Sequence, residues 1–273
     1  GVIIDFDPDQ SETVADHDSN LANFIPDEVL SEISRDLVGS FKADKESRHD
    51  WERAYIQGLD LLGLKHEDRT TPWDGACGVF HPLLTESVIR FQSQAIQEIF
   101  PASGPVKTSI VGKIDDEKER QAHRVQDYLN YLVTEQMTEY RTETEKMLFS
   151  LPLAGSAFRK VYYDQTLGRP CSMFVPAEDF VVSYGASDLA TCERATHILK
   201  KSQNEIRKLQ VAGFYSDVEI SSPTPDVDEI EKKYNELTGD SSNYEYDSRH
   251  TLLEFQVYLD LPGFQETENG KPT

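Results

Sequence analysis

A long stretch of helical periodicity near the middle of the chain constrains the fold more than any other sequence feature. It runs from residue 115 to about residue 151, where Pro152 predicts its end because proline removes a backbone hydrogen bond. At roughly 1.5 Å per residue, about 36 residues form one helix about 55 Å long. Residues 134–144 are polar on nearly every side. A long helix with such a polar middle is typical of a large assembly rather than of a compact monomer.

Shorter helices are predicted before this stretch. Apolar residues at helical spacing indicate helices over about 30–41, 47–63 and 83–100. The third carries two apolar stripes, which predicts that it is covered on more than one side. The loop before it holds Trp73 and Phe80, and we expect so much aromatic surface to pack against the protein.

After Pro152 the pattern changes from helical spacing to alternation. Residues 156–163 and 170–175 predict the two strands of a hairpin, and a capping box at Ser202 and Glu205 predicts a helix start. The remaining candidates are strands at 106–111, 180–183, 195–200 and 250–261, and a short helix at 227–237. The chain is therefore predicted to be α+β, helix-rich, with one long helix and a small antiparallel β unit.

These patterns predict four segments along the chain. Residues 1–30 hold eight acids and no Lys or Arg, which is typical of a solvated, flexible arm. The last residues are polar and turn-rich, so the chain is expected to be truncated. The predicted segments are an acidic arm at 1–25, a helical region at 26–152 with the long helix 115–151, an α+β unit at 153–262 with an acidic insertion at 214–248, and a connecting segment at 263–273.

The charge balance limits the classes of function. The chain has 273 residues, with 49 Asp and Glu against 27 Lys and Arg, a formal net charge of −22. Proteins that bind nucleic acid tightly need a basic surface to neutralise phosphates, and so do proteins that bind anionic lipid. The composition therefore argues against both.

The cysteines and the apolar runs exclude further classes. Cys77, Cys171 and Cys192 are odd in number and far apart, so a disulfide scaffold or a cysteine zinc site is not expected. This usage favours a reducing, intracellular compartment. No apolar run approaches the roughly 18 residues of a membrane span, so no membrane partner is expected.

No motif predicts catalysis, a cofactor or a metal. Asp5, Asp7 and Asp9 alternate as in a calcium loop, but Gln10 stands where an EF-hand needs glycine, so a solvated acidic arm is favoured. Phosphate-binding and dinucleotide-binding glycine motifs are absent, and the seven histidines are scattered. We expect a protein without catalytic residues, cofactor or metal.

Two charged groups are candidate contact surfaces. Glu135, Glu139 and Glu143 recur every four residues on the predicted long helix. Such a row is typical of a solvated face, and the functional alternative is a face turned toward a partner or toward DNA. The dense positive cluster consists of Lys200, Lys201, Arg207 and Lys208. Its interpretations are an ordinary surface patch, a contact with an acidic neighbouring subunit, or a phosphate contact.

Several longer stretches together resemble one protein family. They are WERAYIQGLDLLGL (51–64), TPWDGACGVFHPLLTESVIRFQSQAIQ (71–97), FPASGPVKTSIVG (100–112), LPLAGSAFRKVYY (151–163), FVPAEDFVVSYG (174–185) and RKLQVAGFY (207–215). The chain resembles the N-terminal part of the portal protein of short-tailed bacteriophages. The resemblance covers most of residues 26–262, whereas the acidic arm and residues 216–248 carry little of it.

The resemblance implies a function without catalysis. Portal proteins form a ring, usually of twelve subunits, at one vertex of the virion capsid, and assemble in the cytoplasm of the bacterial host. Double-stranded DNA passes through the ring during packaging and ejection without sequence-specific binding. The ring contacts the major capsid protein, the large terminase subunit and the head-completion or tail adaptor proteins. The present residues would build mostly the wing of such a subunit, with clip, stem and crown residues following.

A ring must bury faces between its subunits. The aromatic and aliphatic residues of the third helix and of the loop before it are therefore the predicted subunit interface, namely Trp73, Phe80, Phe91, Ile96 and Phe100. Two alternatives from other classes are a metal-dependent nuclease or phosphoesterase, suggested by the number of carboxylates, and a monomeric helical adaptor.

Overall fold

The structure is a computed structural model. It describes residues 22, 24–62, 70–78, 81–164, 167–223, 228–238 and 249–259, and the backbone of 267–268 and 271–272. The predicted arm at 1–25 and the insertion at 214–248 therefore lie partly outside the described residues. The division of the chain into four segments stays a prediction.

Helices dominate the first half of the chain, and most strands follow. The helices are α1 (Asp27–Ser47), α2 (His49–Leu62), α3 (Leu83–Ile99), α4 (Asp116–Tyr131), α5 (Glu139–Ala154), α6 (Gln203–Val211) and α7 (Glu229–Thr238). The strands are β1 (Phe158–Asp164), β2 (Arg169–Val175), β3 (Phe180–Val182), β4 (Arg194–Lys201), β5 (His250–Val257), β6 (Thr267–Glu268) and β7 (Lys271–Pro272). The predicted α+β class is confirmed. No helix among the described residues is long and apolar enough to cross a membrane.

The strands form three small sheets. β1 and β2 make the predicted antiparallel hairpin, in which Val161 lies opposite Ser172 and Arg159 opposite Phe174. The second sheet has the strand order β3-β4-β5, and β6 pairs with β7. Residues 106–111, which were a strand candidate, form no strand.

The single long helix predicted over 115–151 is wrong. α4 ends at Tyr131, a π-helical turn follows at Leu132–Gln136, and Met137 leaves helical dihedrals with φ −89° and ψ 72°. Met137 is only 6% exposed. The interruption thus lets an apolar side chain reach the interior from an otherwise polar stretch, and this burial offsets the lost helical hydrogen bonds.

Pro152 does not end the helix, contrary to the sequence prediction. α5 continues through Pro152 to Ala154, since a proline in the last turn leaves only one carbonyl unpaired. Gly155 ends it with φ +80°, a left-handed conformation that glycine adopts most easily, and its N–H donates to the Leu151 carbonyl at 2.9 Å.

The described residues fall into two compact units. The first takes in residues up to 48, residues 181–197 and residues from 253 onward. Its most buried ion pair joins Asp44, 4% exposed, to Arg194, whose Nε and Nη2 donate at 2.7 and 3.0 Å. Such a two-pronged pair keeps a buried carboxylate compensated.

The second unit contains residues 49–180 and 198–252. Its core gathers side chains from α2, the end of α5, the turn after β2, and α7. The buried members are Tyr55, Leu59, Ala154, Ala177 and Ile230. The Trp51 indole N–H donates to the Ala154 carbonyl at 2.9 Å, so the polar atom of a core aromatic is paired across 103 residues.

Candidate functional site

One face of α3 is fixed against the neighbouring helices. Val88 is 1% exposed, the Thr85 hydroxyl donates to the Leu62 carbonyl at 2.7 Å, and the Gln92 side-chain amide donates to the Glu145 carbonyl at 2.8 Å. These contacts attach α3 to α2 and α5. They also determine which side chains of α3 stay outside.

Four large apolar side chains stay exposed on more than one side of α3, and we call this set the α3 surface: Leu83, Ile89, Phe91 and Ile99. They are exposed by 65%, 48%, 41% and 37%. The sequence predicted two apolar stripes on this helix, and the described part of the chain leaves much of both uncovered. Large exposed side chains on a helix that is otherwise packed are typical of an interaction surface.

The predicted interface residues differ in how far they are exposed. Phe91 belongs to the α3 surface, and Trp73 is 66% exposed in the preceding loop. Ile96 is half-buried. Phe100 packs edge-on against Tyr140, with ring centroids 6.0 Å apart. Phe80 lies outside the described residues.

Helix geometry separates these residues further. At roughly 100° per residue, Phe91 and Ile96 differ by about 140° around α3. A single flat partner would therefore not cover both, whereas partners on two sides of the helix would. The assignment of these residues to a subunit interface stays a prediction.

The basic cluster is largely paired within the chain. Lys200 forms an ion pair with Glu231 of α7, and Arg207 pairs with Asp217 at 2.5 Å. Lys201 lies near the capping residue Glu205 and helps to lower the pKa of that carboxyl, after the larger effect of the hydrogen bonds from Ser202. Of the four cations, Lys208 alone has no described contact with an acid. Contact between the cluster and an acidic neighbour stays a prediction.

A second exposed apolar surface follows α6. Val211, Phe214 and Val218 are 78%, 71% and 62% exposed, and we call them the α6 turn. The backbone beneath them is held by Gln210, whose side-chain amide donates to the carbonyls of Ser216 and Val218 at 3.1 and 2.8 Å. This surface was not predictable from the sequence, because three apolar residues in a polar stretch show no periodicity.

The row of glutamates is not a solvated helix face. The Glu139 carboxylate accepts from Arg169 at 2.9 Å and from the Ser172 backbone N–H at 3.3 Å. The Glu143 carboxylate accepts from the Phe174 N–H at 2.8 Å. Only Glu135 is exposed, beside the π-helical turn. The interpretation as a solvated face is therefore wrong for Glu139 and Glu143, and a face turned toward a partner or toward DNA stays a prediction.

These contacts also determine the protonation of Glu139. Partial burial would raise the pKa of this carboxyl, but the hydrogen bonds from Arg169 and the Ser172 N–H outweigh that effect and lower it. Glu139 is thus held ionised by the strand it supports. A carboxylate that is occupied in this way acts as a structural acceptor for backbone donors.

A buried pair of hydroxyls connects α2 to α7. The Tyr55 and Tyr234 hydroxyl oxygens are 2.7 Å apart, and Tyr55 is 2% exposed. Burial first, and the nearby Glu178 charge second, raise the pKa of Tyr55. The Lys233 ammonium adds an ion pair to Asp60 at 2.6 Å. This pair was not predictable from the sequence, since nothing local relates residues 179 positions apart.

The described part of the chain contains no group of three or more His, Cys, Asp or Glu side chains arranged to hold a metal ion. No protein-family model matches this chain, and no curated protein sequence matches it. The candidate functional features are therefore the α3 surface, the α6 turn and the basic residues beside that turn.

Proposed function

We propose that this chain is a subunit of a bacteriophage portal ring at the capsid vertex of the virion. In this proposal it assembles in the host cytoplasm, forms part of the conduit for DNA packaging and ejection, and provides a docking platform for terminase and adaptor proteins. It contacts the major capsid protein and acts without catalysis. The assignment to portals comes from the sequence stretches over residues 51–215.

The observation that carries the oligomeric part is that the second unit exposes two unlike apolar surfaces. A closed ring needs such a pair, because each subunit contacts its two neighbours through different faces. The α3 surface is helical and half-buried, whereas the α6 turn projects far into solvent with Lys208 beside it. An acidic chain with a net charge of −22 gains most from a contact that includes its exposed cations.

The charge also fits a conduit. A ring of such subunits is strongly negative, so DNA phosphates are repelled from most of its surface rather than held there. DNA can then move through the ring without repeated release from tight contacts. A metal-dependent nuclease is the alternative, and no arrangement of the described carboxylates favours it.

Native mass spectrometry of the purified chain, with negative-stain imaging along the particle axis, tests the proposal. We expect closed rings at high protein concentration. A chain that remains monomeric over a wide range of concentration and salt would contradict the proposal. Mg²⁺-dependent cleavage of DNA that is lost on an Asp→Ala change would support the nuclease alternative instead.

A further inference from the structure

The two edges of the β1-β2 hairpin differ in what covers them. On the β2 edge, Glu139 and Glu143 of α5 accept hydrogen bonds from the backbone N–H groups of Ser172 and Phe174. On the β1 edge, no strand of the described part of the chain pairs with β1 other than β2. The β1 edge is therefore open within the described residues, and an open strand edge is a template for pairing with another chain.

The hydrogen bonds made by β2 determine which residues of β1 present backbone groups at the open edge. In an antiparallel pair, two residues directly opposite each other direct their N–H and carbonyl groups either toward each other or both outward. Ser172 and Phe174 direct theirs outward, and the residues opposite them are Val161 and Arg159. Because this direction alternates along a strand, Tyr163 also presents its backbone groups at the open edge.

The β1 strand is self-complementary across this edge. Two antiparallel copies of Phe158–Asp164 overlap over their whole length only when Val161 of one copy lies opposite Val161 of the other. Arg159 then lies opposite Tyr163, so every residue with outward backbone groups meets another such residue and can exchange both hydrogen bonds with it. A shift by one residue would place outward groups opposite inward ones. Full overlap and full hydrogen bonding thus require the same register.

The side chains in this register also suit each other. Val161 and Tyr163 lie on the same face of β1 and are 67% and 64% exposed. The two copies of Val161 become direct neighbours, and each Tyr163 lies diagonal to the Val161 of the other copy. Pairs of aromatic and β-branched residues across neighbouring strands stabilise antiparallel sheets. A second copy therefore covers apolar surface that the described part of one chain leaves exposed.

We propose that two copies of this chain pair through their β1 edges, with Val161 opposite Val161. The two hairpins then form one continuous four-stranded sheet in the order β2-β1-β1-β2, and neither copy keeps an open β1 edge. This contact joins two identical edges about a two-fold axis, whereas neighbours in a closed ring contact each other through unlike surfaces. The inference therefore does not depend on the proposed portal function.

A cysteine introduced at the two-fold axis tests the pairing and its register. The Cα atoms of a hydrogen-bonded antiparallel pair are about 5.5 Å apart, which is within the range that a disulfide spans. In the full chain carrying Cys77→Ser and Cys192→Ser, we expect Val161→Cys to form a disulfide-linked dimer with oxidised glutathione, seen on a non-reducing gel.

Tyr163→Cys in the same background is the matched control. Its position is as exposed as that of Val161, but its two copies would be separated by about 14 Å along the paired strands. We expect no disulfide-linked dimer from it. Equal amounts of dimer from the two variants, or none from Val161→Cys, would overturn the proposal.

Hydrogen exchange in the unmodified chain gives a second measurement that needs no substitution. At high protein concentration the outward amides of Val161 and Tyr163 should be protected, and on dilution they should exchange about tenfold or more faster. The inward amides of Cys171 and Met173 report on the hairpin itself and should keep their protection at every concentration. Outward protection that is absent, that is unchanged on dilution, or that is lost together with the inward protection would overturn the proposal.

Discussion

At the scale of single residues, the carboxylates of α5 show how charge is used in this chain. Glu139 and Glu143 contact backbone N–H groups of a neighbouring strand. Ionised acceptors make the stronger class of hydrogen bond, so these two acids secure the hairpin to α5. Some acids of this acidic chain therefore stabilise local structure by accepting backbone hydrogen bonds, in addition to contributing negative charge.

Replacing Glu139 by Gln should flatten the dependence of stability on pH in acid. The pKa of Glu139 is lowered in the folded chain, so its contribution is complete above the pKa of the unfolded chain and is lost as pH falls through the folded value. The free energy of unfolding, measured in urea from about pH 5 to about pH 3, should fall less in Glu139→Gln than in the unmodified chain.

The control for this change is Glu135→Gln. Glu135 belongs to the same row but is exposed. The change Glu135→Gln should leave the pH dependence of the free energy of unfolding as it is in the unmodified chain. An equal effect of the two substitutions would show that the Glu139 contacts do not stabilise the folded chain.

The sequence predicted the spacing of these acids but not their role. A repeat of four residues places side chains on one face of a helix, and it carries no information about what lies opposite that face. The strand that occupies this position comes 30 residues later in the chain. Residue roles that depend on such long-range partners cannot be obtained from local patterns.

At the scale of elements, the segment before α4 is held by the side-chain amides of Asn130 and Gln126. The Asn130 amide accepts from the Val106 N–H at 2.9 Å and donates to the Val106 carbonyl at 3.1 Å. Gln126 accepts from the Thr108 N–H at 3.2 Å. Residues 106–111 were a strand candidate, but they form no strand, and the side chains of α4 take the place of a partner strand at Val106 and Thr108.

Gly104→Ala should loosen this segment, whereas Gly112→Ala should not. The two glycines have nearly the same φ, +94° and +96°, so a side chain is strained equally at both, at about 1–2 kcal/mol. At Gly104, however, the new Cβ would lie 2.5 Å from the Asn130 Oδ1, whereas the space at Gly112 is open.

Exchange of the Val106 and Thr108 amides measures this difference. It should become roughly tenfold faster in Gly104→Ala and change little in Gly112→Ala. Equal rates in the two variants would mean that the Asn130 contact does not fix the segment.

At the scale of the whole molecule, the α3 surface and the α6 turn are the exposed apolar surfaces on which the proposed assembly depends. α3 was predicted with nearly correct bounds, because its apolar spacing is strong and Pro101 follows it. Which of its stripes stays exposed was not predictable, since the contacts with α2 and α5 select the buried face. The break at Met137 was also missed, as helical periodicity continues across it.

Phe91→Asp should impair ring assembly more than folding of the single chain. The side chain is 41% exposed, so its loss should change the free energy of unfolding by about 1 kcal/mol or less, while a charge placed in an apolar contact opposes assembly. Native mass spectrometry should show a larger monomer fraction. Ser93→Asp, an exposed position on the same helix, should assemble normally. Equal assembly of the two variants would remove Phe91 from the interface.

The hydroxyl pair of Tyr55 and Tyr234 has a consequence for the order of synthesis. α2 emerges early from the ribosome, but the residues that cover it arrive at 154, 177 and finally 230–237. Until α7 has been made, the Tyr55 ring and hydroxyl have no complete site in which to be buried. The second unit should therefore complete its folding late, because its core depends on contacts between residues far apart in the sequence. Until then the apolar side of α2 stays uncovered in the nascent chain and is exposed to aggregation.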